Sequence, residues 1–193
     1  MRKHILWVFV GIVAPTSFGQ LLDNKVNYYA YGGISHTLIL LGSDDARSGT
    51  GFSLAFGRAE PKLTIRKKLQ GELIWEAYYN ESRTNRTTVR YPSKTNQGYG
   101  IIATARYRWR WKDGINIYGD LGTGFQVFQH SSLDLPLAND SILEFGTGLE
   151  FRTSEKSAIL FGSRYLHTSN AGRVRPNYGE NLIEWYIGYR WNR

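Results

Sequence analysis

The segment YGIIATARYRWRWK, residues 99–112, sorts its side chains by parity. One register holds Tyr99, Ile101, Ala103, Ala105, Tyr107, Trp109 and Trp111, and the other holds Ile102, Thr104, Arg106, Arg108, Arg110 and Lys112. A period of two is that of a strand whose faces meet different surroundings, and a helical period of 3.6 would scatter both sets. Asp113-Gly114 follows, a strong hairpin signal. The next stretch sets Ile115, Ile117, Leu121, Phe125 and Val127 against Asn116, Asp120 and Gln126.

The same split recurs on either side. Leu143, Phe145, Leu149 and Phe151 oppose Glu144, Glu150 and Arg152, and Leu73, Trp75, Ala77 and Tyr79 oppose Glu72, Glu76 and Asn80. One face so apolar and the other so charged fits a small closed barrel better than a soluble all-β barrel, with lipid outside and paired charges inside. The charges expected to fill the lumen are Arg106, Arg108, Arg110, Glu72, Glu76, Glu144, Glu150, Arg152, Arg164 and Glu184. They must satisfy one another, because an unpaired buried charge costs several kcal/mol.

Extending the pattern gives strands near 26–41, 50–67, 71–84, 98–112, 115–130, 142–153, 158–169 and 182–191. The expected fold is all-β: an eight-stranded antiparallel transmembrane β-barrel of the outer membrane of a Gram-negative bacterium. Short turns at Asp113-Gly114 and Ser154–Ser157 face long loops at 85–97, 131–141 and 170–181 on the other side. The first strand alternates weakly. In 50–67 the phase slips between Phe52, Leu54, Phe56 and Leu63, Ile65, with Gly57 and Pro61 between, which predicts a bulge. The chain ends Trp191-Asn192-Arg193, without a terminal Phe.

Composition narrows the alternatives. The 193 residues include no Cys, one Met, 21 Gly, 6 Trp and 13 Tyr, with a formal charge of +8. Without Cys there is no disulfide framework, thiolate metal site, catalytic thiol or lipid-anchored N-terminal cysteine. No apolar run is long enough for a membrane-spanning helix. Arg2 and Lys3, the apolar run Ile5–Val13, Pro15 and the small residues around Ser17-Phe18-Gly19 read as a secretory signal. The expected division is therefore a cleaved peptide over 1–19 and a single barrel domain over 20–193, with a mature charge of +6. An exported chain of this kind has no nucleic-acid partner. Its basic residues at the outer end, Arg83, Arg86, Arg90, Lys94, Arg173 and Arg175, suit anionic lipid headgroups. His36 and His130 read as ordinary wall or rim residues, and no spacing suggests a metal or another cofactor.

The chemistry gathers after the seventh strand. With Arg164 turned to the lumen, His167 and Ser169 project towards lipid at the extracellular end. Asn181 opens the outward register that runs through Ile183, Trp185, Ile187, Tyr189 and Trp191. A hydroxyl beside an imidazole, with a third group to orient the imidazole, is what a serine esterase needs.

The letters around these residues sharpen that expectation. His167-Thr168-Ser169-Asn170-Ala171-Gly172 and Pro176-Asn177-Tyr178-Gly179-Glu180-Asn181 resemble the signature of the lipid A 3-O-deacylase family, the PagL-type, acyloxyacyl hydrolase-like outer-membrane barrels. The resemblance is tight over about 15 residues and architectural elsewhere. It implies Ser169 as nucleophile, His167 as general base, and Asn170 and Gly172 at the oxyanion positions. It also implies lipid A of lipopolysaccharide in the outer leaflet as substrate, with Arg173 and Arg175 placed to meet its phosphates. The chain departs from the pattern at one place. The family's position fourteen after the histidine is Glu, whereas here it is Asn181, with Glu180 one place earlier. Strand alternation favours Asn181 as the orienter, in which the chain is similar to outer-membrane phospholipase A-like enzymes; Glu180 is the alternative. The functions that follow are a lipid A deacylase, an outer-membrane phospholipase, or a non-catalytic structural or adhesive barrel. A homodimer is compatible with each.

Overall fold

The computed structural model describes residues 26–38, 46–65, 69–84, 87–90, 92–132, 134–174 and 179–192. Eight strands form one closed antiparallel barrel in sequence order: β1 (Val26–Thr37), β2 (Arg47–Ala59), β3 (Leu69–Thr84), β4 (Thr95–Lys112), β5 (Ile115–Phe128), β6 (Asn139–Arg152), β7 (Ser157–Ser169) and β8 (Glu180–Asn192). Closure comes from β1 pairing with β8, with Ile34 opposite Trp185 and Tyr28 opposite Trp191. A closed sheet leaves no unpaired edge, which is what allows strands to cross a bilayer. The expected signal peptide lies outside the described residues.

Parity decides which way each side chain faces. Tyr99, Ile101, Trp109, Leu121, Phe125, Phe145, Phe161, Trp185 and Ile187 are exposed on the outer wall, while Glu72, Glu76, Thr104, Arg106, Glu144, Glu150, Arg164 and Glu184 are buried in the lumen. Aromatics gather near the periplasmic mouth, where Trp191 stacks on both Tyr28 and Tyr189. Eight strands enclose a space that side chains fill. The Arg164 guanidinium meets Glu184 at 2.9 Å, Glu76 at 2.7 Å and Glu144 at 3.6 Å. Arg106 grips Asp120 through two bonds of 2.7 and 2.6 Å. Arg108 pairs with Glu72 and, at 2.9 Å, with Glu150. One Glu184 oxygen sits 2.6 Å from where a Cβ on Gly33 or Gly51 would be, so the network needs bare backbone beside it.

Two expectations change. The phase slip in 50–67 is no bulge: β2 ends at Ala59 and Pro61–Leu63 form a 3-10 turn. Glu60 accepts from Lys62 N at 3.1 Å, and Pro61 occupies the start of the turn, where its missing N–H costs nothing. The register shift lies instead between Arg110 and Lys112, next to the Asp113-Gly114 turn. Arg110 and Arg152 are exposed, and both line the periplasmic mouth rather than the sealed lumen. Arg110 there pairs with Asp113. Strand β1 alternates weakly because its aromatics point inward: Tyr29 donates to Glu72 at 2.7 Å and Tyr31 accepts from Arg106 at 3.2 Å.

Candidate active site

The end of β7 and the start of β8 meet at the rim opposite the short turns. His167 and Asn181 are direct cross-strand partners on the lipid-facing wall. The imidazole Nδ1 lies 2.8 Å from Asn181 Oδ1. An amide oxygen only accepts, so Nδ1 carries the proton and Nε2 is left with a lone pair. Ser169 lies two residues beyond His167 in the same register, about 6.5–7 Å along the strand. It is half-buried and opposite Ser141 of β6.

Glu180 faces the other way. It is buried in the lumen, 3.8 Å from Arg47 Nε on β2. The structure thus places the amide of Asn181, and not the carboxylate of Glu180, against the histidine.

Past Ser169 the chain reverses in a tight turn. Ala171 and Gly172 both have positive φ, 53° and 79°, and Arg173 N donates to Asn170 O at 3.1 Å. Two successive positive φ values within such a closed loop are what a type I′ turn requires. Asn170 is fully buried and its side chain holds the turn, with Nδ2 donating to Val174 O at 3.0 Å. Gly172 is exposed, with open space where a Cβ would stand. Arg173 clamps the turn to β6: Nε donates to Asn170 O at 2.9 Å, Nη1 to Asn139 Oδ1 at 3.3 Å, and Nη2 to Asn139 O. About half of its side chain stays exposed. Arg175 and Pro176–Tyr178 lie outside the described residues, as does Arg86.

A family model described as lipid A 3-O-deacylase (PagL) matches residues 44–190, which takes in seven of the eight strands and the whole of this site. The chain belongs to this family. Among solved structures it is similar to the outer membrane enzyme PagL, at 18% identity and a TM-score of 0.58, covering 86% of this chain and 98% of that one. It is equally similar in fold to Neisserial surface protein A, at 16% identity and a TM-score of 0.59, covering 86% and 96%. No curated protein sequence matches the chain. Membership in the deacylase family, together with the barrel architecture, places the protein in the outer membrane of a Gram-negative bacterium.

Two neighbours of the family's His-Ser block escape sequence reasoning. Tyr165, on the outward face two residues before His167, donates its phenol to Asn181 Oδ1 at 2.5 Å. Gly179, at φ +73°, packs its backbone against the site: a Cβ there would lie 2.9 Å from His167 Cε1 and 3.3 Å from Ser169 Cβ. Its N–H donates at 3.2 Å to the carbonyl of Asp134 in the β5–β6 loop. Alternation alone could have drawn Tyr165 into the set. Nothing local marks Asp134. Among the described residues no group of acidic, histidine or cysteine side chains could hold a metal ion. His36 is exposed on the outer wall opposite Ile183, and His130 is exposed at the rim.

Proposed function

We propose that the protein is a serine esterase that removes the 3-O-linked acyl chain from lipid A in the outer leaflet. The observation that carries this reading is the 2.8 Å contact between His167 Nδ1 and Asn181 Oδ1, with Ser169 next on the same lipid-facing wall. It joins a family whose model is that of lipid A 3-O-deacylases. A site on that wall reaches an acyl ester without drawing the substrate out of the membrane.

Ser169 Oγ attacks the ester carbonyl while His167 Nε2 takes its proton. The carbonyl oxygen becomes an oxyanion, met by backbone amides of the Asn170–Gly172 turn that follows the nucleophile. Losing one such donor typically costs roughly 3–4 kcal/mol of transition-state stabilisation. Asn181 keeps the imidazole in the required tautomer throughout. Collapse breaks the bond to the sugar oxygen, which leaves as the alcohol with the proton from His167. Water, deprotonated by the same imidazole, then splits the acyl-Ser169 ester, releases the fatty acid and restores the serine hydroxyl. No cofactor enters this cycle. The exposed half of Arg173, with Arg175, supplies positive charge for the lipid A phosphates.

The test is mass spectrometry of lipid A from cells expressing the native chain or Ser169→Ala, both shown to be folded in the outer membrane. Loss of one hydroxyacyl mass with the native chain alone is the expected result. Unchanged lipid A with lysophospholipid formation would assign a phospholipase instead. Unchanged lipids of both kinds would leave a structural barrel.

A further inference from the structure

We propose that Tyr165 is a positioning residue of this site: its phenol fixes the Asn181 amide with Oδ1 towards His167 and so selects the histidine tautomer. The inference rests on the serine-esterase reading and deepens it. A carboxylate in the orienting position accepts with either oxygen and needs no selection. An amide is different, because its two ends are alike in size and opposite in hydrogen-bond character. With Oδ1 towards the ring, Nδ1 is protonated and Nε2 can accept the serine proton. With Nδ2 towards the ring, Nδ1 becomes the acceptor and Nε2 holds the proton, which blocks general-base attack. The chain carries Asn181 where the family's best-known pattern has Glu, so something here has to select the amide's orientation.

Tyr165 is placed to do it. It shares the outward register of His167, two residues earlier on β7, and pairs across the sheet with Ile183 on one side and Phe145 on the other. Its ring lies 6.4 Å from that of Phe145. In this apolar setting the phenolic proton goes to Asn181 Oδ1 at 2.5 Å, while His167 Nδ1 reaches the same oxygen at 2.8 Å. The two donors fill the two lone pairs of one carbonyl oxygen. Rotating the amide would take the acceptor away from the phenol on a wall whose neighbours on both sides are hydrocarbon.

The experiment is a double-mutant cycle in detergent-refolded full-length barrel, with heat-modifiable gel mobility as the folding check. Deacylation is assayed for the native protein, Tyr165→Phe, Asn181→Glu and the double variant, with Ser169→Ala alongside. In the Asn181 background Tyr165→Phe should lower kcat roughly tenfold with KM little changed, the worth of one hydrogen bond realised in the transition state. In the Asn181→Glu background the same change should cost less than about twofold, because a carboxylate needs no orienting. Equal losses in both backgrounds, or undiminished kcat in Tyr165→Phe, overturn the proposal. If Asn181→Glu does not fold or does not turn over, ¹⁵N spectra of histidine-labelled protein decide. His167, assigned by loss of its signals in His167→Gln, should pass from a single Nδ1–H tautomer to a mixture in Tyr165→Phe, and an unchanged tautomer overturns the proposal. Activity surviving in Ser169→Ala would strike the esterase reading itself. An inactive Ser169→Ala with an unaffected Tyr165→Phe would strike only the role given to Tyr165.

Discussion

At the scale of the residue, Glu180 and Asn181 offer a sharp comparison. They are adjacent in the chain, yet one meets Arg47 in the lumen at 3.8 Å and the other meets His167 on the outer wall at 2.8 Å. Alternation of the strand separates them, and their substitutions should separate as well. Asn181→Ala should lower kcat about a hundredfold, because the imidazole loses both its orientation and its tautomer. Glu180→Gln should leave kcat within about twofold while lowering the unfolding midpoint, since it weakens a buried ion pair and touches no reacting atom. Parallel kinetics and urea unfolding of the two variants make the check. A collapse of kcat in Glu180→Gln with Asn181→Ala unaffected would reverse the assignment.

At the scale of the element, the site depends on a loop that carries none of its reacting atoms. The β5–β6 loop turns back on itself, with Ser132 N donating to Leu135 O at 2.8 Å and Leu135 buried. From there Asp134 O holds Gly179, whose bare backbone lies against His167 and Ser169. Gly179→Ala would bring both a left-handed φ and a methyl 2.9 Å from the imidazole edge. The φ alone costs about 1–2 kcal/mol, and the methyl must push the ring aside. We expect kcat to fall more than about tenfold, since small displacements of a catalytic group are expensive. Gly172→Ala has a similar φ of 79° but open space for its methyl, so its loss should be the smaller of the two. Equal losses would mean that backbone strain, and not contact with the imidazole, is what Gly179 avoids. These elements also show what a linear sequence conceals. The barrel was legible because lipid and lumen impose opposite chemistry on alternate residues, clearest from Tyr99 to Trp111. It blurred at β1, where Tyr29 and Tyr31 face inward to hydrogen-bond with buried charges. It blurred again at Leu63 and Ile65, apolar residues of the β2–β3 connection that mimic a continued strand. His167, Ser169 and Asn181 emerged from parity and motif together. The Tyr165 bond depends on side-chain rotamers across two strands, and the Asp134–Gly179 bond joins loops 45 residues apart, so neither leaves a local pattern.

At the scale of the whole molecule, the barrel holds an ionic interior inside an apolar wall, the reverse of a soluble domain. Lipid already solvates the outside, so stability has to come from strand pairing and from satisfying what lies within. The hub is Arg164, which faces Glu76, Glu144 and Glu184, all of them buried. Tyr78 adds its ring at 4.9 Å from the guanidinium carbon. Arg164→Met keeps much of the side-chain volume and removes the charge, so three carboxylates lose the guanidinium they share. Breaking a buried ion network from one side typically costs about 3–5 kcal/mol, and urea unfolding in lipid vesicles, followed by tryptophan fluorescence, should show a loss of that size. Combining Arg164→Met with Glu76→Gln and Glu184→Gln should recover much of it, because one carboxyl, that of Glu144, is then left without its guanidinium in place of three. Deacylation per folded molecule should change little in either variant, since Arg164 faces the lumen and His167 the lipid. A single variant as stable as the native protein would mean that solvent reaches the lumen and screens these charges. Failure of the triple variant to recover would instead locate the loss in packing against Tyr78 and Tyr186.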